Sequence, residues 1–405
     1  MKRRSLSPRR TRIGARVVLV VLAALLGGSP FASSAACRRD DVPSVLGADG
    51  SFGVGVRTLD LRDATRATPA HGAVPAQDGR RLVTEVWYPI VPSADQVTSS
   101  STPLRDAPVA HGRFPLIVDA HGFLDVREGR AYYAIALARR GYVVAAPDFP
   151  VANGRVADPS SVDLANNPGD ISFVISTLLD FDRDPTSPLR SHVARKRIAV
   201  SGLSNGGGIA LLAGFHRRMR DRRIRAVAAI APAACYLGTD FYAHARPRLL
   251  IVEGSDDILA PSAQHSRLAF ERARRSERWL VTLARGTHVA FAGLITFPSM
   301  TSYDAIGCAS IGSIPLERLV LDLESLGGAA AGIETSACRL TCTHPLPAGP
   351  PMQALRQHEL TIDALTAFFD ATLKRSRGAR CVLNRELAAR NADLTVVHAR
   401  GGAGS

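Results

Sequence analysis

The segment 197–208, RIAVSGLSNGGG, constrains the fold of this chain more than any other part of the sequence. A short apolar run leads straight into a G-x-S-x-G turn, and the start of a glycine-rich helix follows. This arrangement is typical of a nucleophile elbow, a sharp turn between strand and helix that pushes a serine side chain out of the backbone. Gly202 and Gly206 leave room around the turn, so Ser204 is the candidate nucleophile. The alternative interpretation is a strand-to-helix loop that only packs closely on a sheet.

A candidate acid follows the apolar run 247–252, whose composition is typical of a buried parallel strand. The turn after this run contains two aspartates, Asp256 and Asp257. Asp257 lies three residues after Gly254 and four before Pro261. We therefore predict that Asp257 orients a catalytic histidine, and that Asp256 faces water or caps the loop.

The candidate base is His288, on the loop after a further predicted strand over 279–283. Of the eleven histidines in the chain, it is the one placed to accept the proton of Ser204 and to direct its other nitrogen toward Asp257. The order Ser, Asp, His, with each residue at the end of a strand, matches the order that accompanies a nucleophile elbow. Together the three residues predict a catalytic triad.

A triad of this kind needs fixed N–H donors for the negative charge of the tetrahedral intermediate. One predicted donor is the backbone N–H of Asn205, directly after the nucleophile. The other is the N–H of Phe123, because the pattern of 114–123 predicts a strand that ends in the sequence HGF. We expect Phe123 and Leu124 to line the substrate pocket. His121 is expected to brace this loop through hydrogen bonds, without transferring protons.

The distribution of apolar runs predicts an α/β fold. Six runs alternate with amphipathic segments, which specifies a mostly parallel sheet with helices on both faces. Before the parallel run, 52–60 and 82–89 suit antiparallel edge strands, and 360–373 suits a closing helix with one apolar face. The six apolar runs are 116–118, 143–146, 198–200, 227–230, 249–252 and 280–283.

Four phrases carry a family resemblance: LVTEVWYP at 82–89, HGF at 121–123, GYVVAAPD at 141–148 and GLSNGG at 202–207. They resemble bacterial α/β-hydrolases related to platelet-activating-factor acetylhydrolase and, more distantly, dienelactone and polyester hydrolases. The resemblance covers residues 52 to 300 and the last long helix, and it implies cleavage of carboxylic esters through an acyl-serine. Dienelactone hydrolases use a cysteine nucleophile where this chain has Ser204. Asn205 stands where many lipases and polyester hydrolases of this fold carry an aromatic residue, Met or His.

The predicted function is therefore hydrolysis of a small-molecule or lipid ester by a serine nucleophile, with no cofactor. Amides, thioesters or polyesters are alternative substrates, because fold and triad do not specify the substrate. An exported binding protein without turnover is the alternative from another class. The six cysteines lack the paired spacing of a zinc site and no H-E-x-x-H motif occurs, so no metal is expected.

The segment 289–356, between His288 and the closing helix, has weak periodicity, several glycines and the cysteines Cys308, Cys338 and Cys342. Two interpretations remain open: a lid or side wall over the active site that disulfides hold in place, or a surface excursion that shields the sheet edge. The other predicted segments are a linker at 37–51, the α/β-hydrolase core at 52–288, C-terminal helices at 357–396 and a disordered tail at 397–405.

Residues 1–36 have the pattern of a secretion signal, in which seven basic residues precede the apolar run 17–26. That run is too short to predict a membrane span. Cleavage before Cys37 would leave this cysteine at the new N-terminus. A lipid-anchored, membrane-associated form is therefore one expectation, and a periplasmic or extracellular protein without an anchor is the other. In an oxidising compartment the six cysteines could form up to three disulfides, whose pairing the sequence does not specify.

The basic charge of the chain does not predict a nucleic-acid partner. The formal net charge of +14 falls to +7 once the seven basic residues of the signal are left out. Nearly all of the basic residues outside the signal are arginines. The cluster from Arg217 to Arg225 is interrupted by Met219 and Asp221 and lies at a predicted helix end, where positive charge is the expected structural arrangement.

Overall fold

The computed structural model describes Cys37 and residues 52–92, 102–293, 303–311, 323–339, 342–343 and 347–402. The predicted signal, all of the predicted linker except Cys37, and parts of the segment 289–356 lie outside the described residues. Within the described ranges, no helix is both long and apolar enough to cross a membrane.

A mixed sheet is the centre of the fold. The strands in the described ranges are β1 (Gly53–Asp63), β2 (Arg80–Ile90), β3 (Leu104–Arg105), β4 (Phe114–Ala120), β5 (Val143–Pro147), β6 (Val193–Leu203), β7 (Ile224–Ile230), β8 (Arg248–Gly254), β9 (Arg278–Leu283) and β10 (Leu394–Ala399). Their order across the sheet is β10-β9-β8-β7-β6-β4-β5-β2-β1-β3. β4 to β9 run parallel to one another, whereas β2 is antiparallel to β1 and β5, and β10 is antiparallel to β9. All six predicted apolar runs lie in β4 to β9, which confirms the mostly parallel sheet.

Helices cover both faces of this sheet. They are α1 (Ala131–Arg139), α2 (Asn167–Phe181), α3 (Asn205–Phe215), α4 (Ser266–Arg272), α5 (Asp304–Ile311), α6 (Ala354–Thr372), α7 (Arg377–Cys381) and α8 (Leu387–Arg390), with short turns of other helix types at Leu164–Asn166, Asp240–His244, Val289–Phe291, Ala329–Ala331 and Val382–Glu386. One apolar core contains side chains of α2, α3 and α4, such as Val174, Leu212 and Phe270. The core on the other face contains side chains of α1 and α6, such as Leu137 and Phe368.

The C-terminal region differs from the prediction. α6 begins at Ala354, before the start of the predicted helix 360–373. After α8 the chain forms β10, so the predicted disordered tail is wrong for residues 397–399. His398 in β10 stacks on the indole of Trp279 in β9, with ring centroids 4.7 Å apart. Six residues of alternating pattern are a weak signal, and the pairing with β9 stabilises this strand.

Three disulfides use all six cysteines: Cys37–Cys381, Cys235–Cys338 and Cys308–Cys342. This number of bridges is typical of proteins in an extracellular or periplasmic compartment. The sulfur of Cys37 cannot carry a thioether-linked lipid while it is bonded to Cys381. The disulfide-bonded form is therefore a form without the lipid anchor.

Candidate active site

Ser204 lies at the apex of a sharp turn between β6 and α3. Its φ of 57° and ψ of −120° belong to neither the helical nor the strand region. A β-carbon at Gly202 would overlap the carbonyl oxygen of Gly206, and a β-carbon at Gly206 would overlap that of Ala120. Both glycines are therefore needed for the turn to pass this close to β4. The N–H of Ser204 donates to the carbonyl oxygen of Ile230 at 2.9 Å, which holds the turn against β7.

The loops that carry the other two candidate residues leave the sheet at the same edge as Ser204. The register of β6, β7, β8 and β9 places one residue of each strand side by side, namely Leu203, Ile230, Val252 and Val281. Asp257 lies on the loop after β8, and His288 lies on the loop after β9. The parallel sheet therefore gathers serine, acid and histidine at one edge.

Asp257 and His288 form a buried pair. Nδ1 of His288 lies 2.7 Å from Oδ2 of Asp257, and the residues are 6% and 5% exposed. Oδ1 of Asp257 accepts two backbone N–H groups of its own loop, at 2.9 and 2.7 Å, which orients the carboxylate. Asp256 pairs instead with the half-exposed Arg285, at 3.2 Å. The structure thus brings Asp257, and not Asp256, to the histidine.

The surroundings of His288 suit it to accept a proton. Burial by itself would lower the pKa of His288, but the carboxylate of Asp257 raises that pKa above its ordinary value, with a smaller contribution from Asp304. Since an ionised carboxylate only accepts hydrogen bonds, Nδ1 carries a proton and Nε2 is the basic nitrogen. In the described part of the chain, no hydrogen bond joins the hydroxyl of Ser204 to His288. Such bonds often tighten only when substrate is bound.

The loop after β4 lies against the turn at Ser204. A β-carbon at Gly122 would lie 3.6 Å from the β-carbon of Ser204. The backbone N–H groups of Phe123 and Asn205 make no hydrogen bond to another group of the described residues. That of Asn205 belongs to the first turn of α3, where an N–H has no acceptor within the helix. Both predicted donors are therefore open to an external acceptor.

His121 braces this loop. Its Nε2 accepts the N–H of Phe149 at 2.9 Å, and its Nδ1 lies 2.7 Å from the carbonyl oxygen of Gly122. A backbone N–H can only donate, so Nε2 is unprotonated and the proton is on Nδ1. Burial lowers the pKa of His121, which favours this neutral ring. Both nitrogens are engaged with the backbone, which leaves none for proton transfer.

An ionic network beneath the same loop was not predicted from the sequence. Arg130 is 2% exposed and pairs with both Asp119 and Asp125. The hydroxyls of Tyr133 and Ser201 also donate to Asp119, that of Ser201 at 2.7 Å. The network ties the loop to β4, β6 and α1. Asp119 and Ser201 lie 82 positions apart, so no local pattern marks their contact.

The two predicted pocket residues follow Gly122 directly. Phe123 is half-buried and packs against the core of the α2, α3 and α4 face. Leu124 has a φ of 62° and is 38% exposed. A left-handed backbone at a leucine is strained, and here it accompanies an exposed apolar side chain two residues after Gly122.

A second histidine near Asp257 and His288 was also not predicted from the sequence. His265 is 5% exposed, and its Nδ1 accepts the N–H of Ala234 at 3.0 Å. Burial lowers the pKa of His265 to about 4, so it stays neutral beside Asp257 and His288. In the ranges that the structure describes, no three His, Cys, Asp or Glu side chains are grouped so that they could hold a metal ion.

Comparisons with known proteins agree with the fold. Residues 107–303, just under half of the chain, match a family model described as PETase: PET hydrolase-like. A ferulic acid esterase from Streptomyces cinnamoneus is similar in structure, with a TM-score of 0.55 and 20% sequence identity over 87% of this chain and 98% of the esterase. No curated protein matches the chain significantly. The predicted resemblance to α/β-hydrolases that cleave esters or polyesters is thus confirmed. The closer relationship to platelet-activating-factor acetylhydrolase or dienelactone hydrolases stays a prediction.

Proposed function

We propose that this α/β-hydrolase is a serine carboxylic ester hydrolase, with Ser204 as nucleophile, His288 as general base and Asp257 as the residue that orients the base. The proposal rests above all on the 2.7 Å contact between Nδ1 of His288 and Oδ2 of Asp257, at the sheet edge where Ser204 occupies a strained turn. The match to the PET hydrolase-like family covers all three residues and supports an ester bond as the substrate.

The geometry suggests a two-step acyl transfer. The hydroxyl oxygen of Ser204 attacks the ester carbonyl carbon while its proton moves to Nε2 of His288. The backbone N–H groups of Phe123 and Asn205 bind the oxygen that becomes negative. His288 then returns the proton to the departing alcohol, which leaves an acyl-serine. Water attacks the acyl group by the same route, and release of the carboxylic acid restores Ser204.

A polyester is the second candidate substrate. The matching family is described as PET hydrolase-like, and Leu124, two residues after Gly122, is an exposed apolar side chain. Polyester cleavage would use the same three residues and the same acyl-serine.

The proposal is tested by assaying residues 37–405 on p-nitrophenyl esters of increasing acyl length. Parallel assays use a p-nitroanilide, a thioester, a film of an aliphatic polyester and a film of poly(ethylene terephthalate). Turnover of the esters supports the proposal, and acid release from a film supports the polyester candidate. If folded protein cleaved none of the esters or polyesters, the proposed function would be wrong.

We expect kcat/KM for ester hydrolysis to rise with pH in one step, with a midpoint above the ordinary histidine pKa of about 6.5. Only the neutral imidazole of His288 can accept the proton of Ser204. The carboxylate of Asp257 raises the pKa of His288, so the base is lost as the pH falls through that raised value. Initial rates from pH 5 to 9 measure the midpoint, and Asp257→Asn is expected to move it to lower pH. A flat profile would exclude His288 as the base.

We also propose that the chain is exported through the predicted signal and that Cys37 stays in its disulfide with Cys381. Mass spectrometry of the mature protein under non-reducing conditions is then expected to find the peptide that contains Cys37 linked to the peptide that contains Cys381. A diacylglycerol mass on Cys37 would contradict this proposal and would support the lipid-anchored form.

A further inference from the structure

We propose that Asp304 is a positioning residue for the catalytic pair: it holds the acid loop and the histidine loop together and places a second carboxylate beside His288. This inference rests on the proposed function. Asp304 lies one residue beyond the segment that matches the family model, at the start of α5. The proposal also gives a role to part of the segment 289–356.

The hydrogen bonds of Asp304 connect the two loops. Oδ2 accepts the N–H of Ile258 at 3.1 Å, and Oδ1 accepts the N–H of Val289 at 2.9 Å. Ile258 directly follows Asp257, and Val289 directly follows His288. A single carboxylate thus bonds to the residue after each member of the pair. A shift of one loop relative to the other would lengthen or bend at least one of these two bonds.

In the part of the chain that the structure describes, no arginine or lysine neutralises the charge of Asp304. Asp304 is 1% exposed, and in the described ranges no arginine or lysine forms an ion pair with it. A buried carboxylate without a cation is costly unless nearby groups stabilise it. The two backbone N–H groups supply part of that stabilisation. The imidazolium of His288, which forms when Ser204 gives up its proton, supplies more during the reaction.

The titrating groups around His288 act in the same direction. They are Asp257 and Asp304, while the buried His265 stays neutral. Burial and the neighbouring Asp257 raise the pKa of Asp304 to about 6. Asp304 contributes to the raised pKa of His288, and the charge of His288 in turn lowers the pKa of Asp304, because opposite charges stabilise each other. Two carboxylates therefore stabilise one imidazolium.

α5 is held against both loops by further contacts. A β-carbon at Gly307 would lie 2.7 Å from side-chain atoms of both Leu259 and Val289. The next residue, Cys308, is bonded to Cys342, whose N–H donates to the carbonyl oxygen of Ile258 at 3.1 Å. This part of the segment therefore clamps the catalytic pair from the side.

The test is Asp304→Asn, which keeps the size of the side chain but removes its charge and turns an NH₂ group toward one backbone N–H. We expect kcat to fall about tenfold, because a hydrogen bond to a charged group is lost, while KM changes by less than about twofold. The acid limb of kcat/KM is expected to move about one unit to lower pH, because His288 loses a neighbouring negative charge. Asp304→Glu keeps the charge and should restore the midpoint of the acid limb.

The matched control is Asp256→Asn, on the same loop but paired with Arg285 at the surface, for which we expect wild-type kcat and acid limb. A proton NMR titration of the His288 ring, assigned with His288→Gln, measures its pKa without any substrate. Asp304→Asn with wild-type kcat and an unshifted His288 pKa would overturn the proposal. A lowered His288 pKa in protein that hydrolyses no ester would support the placement of Asp304 and contradict only the ester hydrolase function.

A second variant covers the case in which Asp304→Asn does not fold. Replacing both Cys308 and Cys342 by alanine keeps Asp304 but releases α5 from its disulfide. We expect kcat and the pKa of His288 to fall, as in Asp304→Asn. Both decreases should be smaller than in that variant. If Asp304→Asn does not fold and the pKa of His288 is unchanged in this double cysteine variant, the proposed role of Asp304 and α5 in holding the two loops would be contradicted.

Discussion

Ser204→Ala is expected to lower kcat for ester hydrolysis by about 10⁴- to 10⁶-fold. Alanine has no hydroxyl to form the acyl-enzyme, so what remains is catalysis by the N–H donors and by substrate binding. The hydroxyl of Ser204 makes no hydrogen bond among the described residues, so its loss should leave the melting temperature almost unchanged. Steady-state rates and thermal unfolding of the two proteins measure both effects.

A fluorophosphonate provides a second measurement of the same prediction. We expect it to form one covalent adduct with the wild-type protein, detected as a mass increase, and no adduct with Ser204→Ala. Ser187→Ala is the matched control, because Ser187 lies on the turn before β6, at the opposite edge of the sheet, where its hydroxyl oxygen accepts the N–H of Leu189 at 3.1 Å. The control should keep full activity. Ester turnover by Ser204→Ala above one per cent of wild type, or labelling of this variant, would contradict the nucleophile assignment.

Arg80→Met is expected to destabilise the fold by about 3–5 kcal/mol. The guanidinium of Arg80 is fully buried and bonds to Asp163 and Asp170, with N–O distances of 2.5 and 2.6 Å. Without it, Asp170 keeps Arg66 as a partner, but among the described residues the carboxylate of Asp163 keeps only the side-chain amide of Asn166. An uncompensated buried carboxylate is what makes this substitution costly.

For a chain of this length, that loss corresponds to a fall in melting temperature of about 4–6 °C. The matched control is the neighbouring Arg81→Met, whose side chain is 67% exposed and pairs with the 62% exposed Asp60. This variant should change stability by less than about 1 kcal/mol. Adding Asp163→Asn to Arg80→Met should recover part of the loss, because it removes the uncompensated charge. A fall of less than about 1 °C for Arg80→Met would show that the network contributes little to stability.

The parts of the candidate site that could be predicted depend on local sequence. The turn at Ser204 needs glycine two residues before and two residues after the serine. This spacing can be recognised directly in the local sequence. The positions of Asp257 and His288 followed from apolar runs, because parallel strands place the loops at their carboxyl ends along one edge. The choice between Asp256 and Asp257 rested on spacing alone, and in the structure Asp257 is the one whose carboxylate contacts His288.

The parts that could not be predicted depend on contacts between distant segments. Asp304 lies in a segment with weak periodicity, and its role is visible only when Ile258 and Val289 lie side by side. The network of Arg130 and Asp119 joins the start of a helix to a central strand, and no spacing in the sequence predicts this contact. β10 is another case, because its short pattern becomes a strand only through pairing with β9.

The sequence by itself determined the parallel strands, the helices on both faces, the turn at Ser204 and the order of acid and histidine. These features follow from the alternation of apolar runs and from the space that a sharp turn requires, both of which act over a few residues. The tertiary structure alone decided the pairing of the cysteines, the buried partners of Arg80 and Arg130 and the clamp at Asp304. These features depend on which distant segments the packed core brings together, since a buried charge or sulfur is stabilised only by the partner that the fold places beside it.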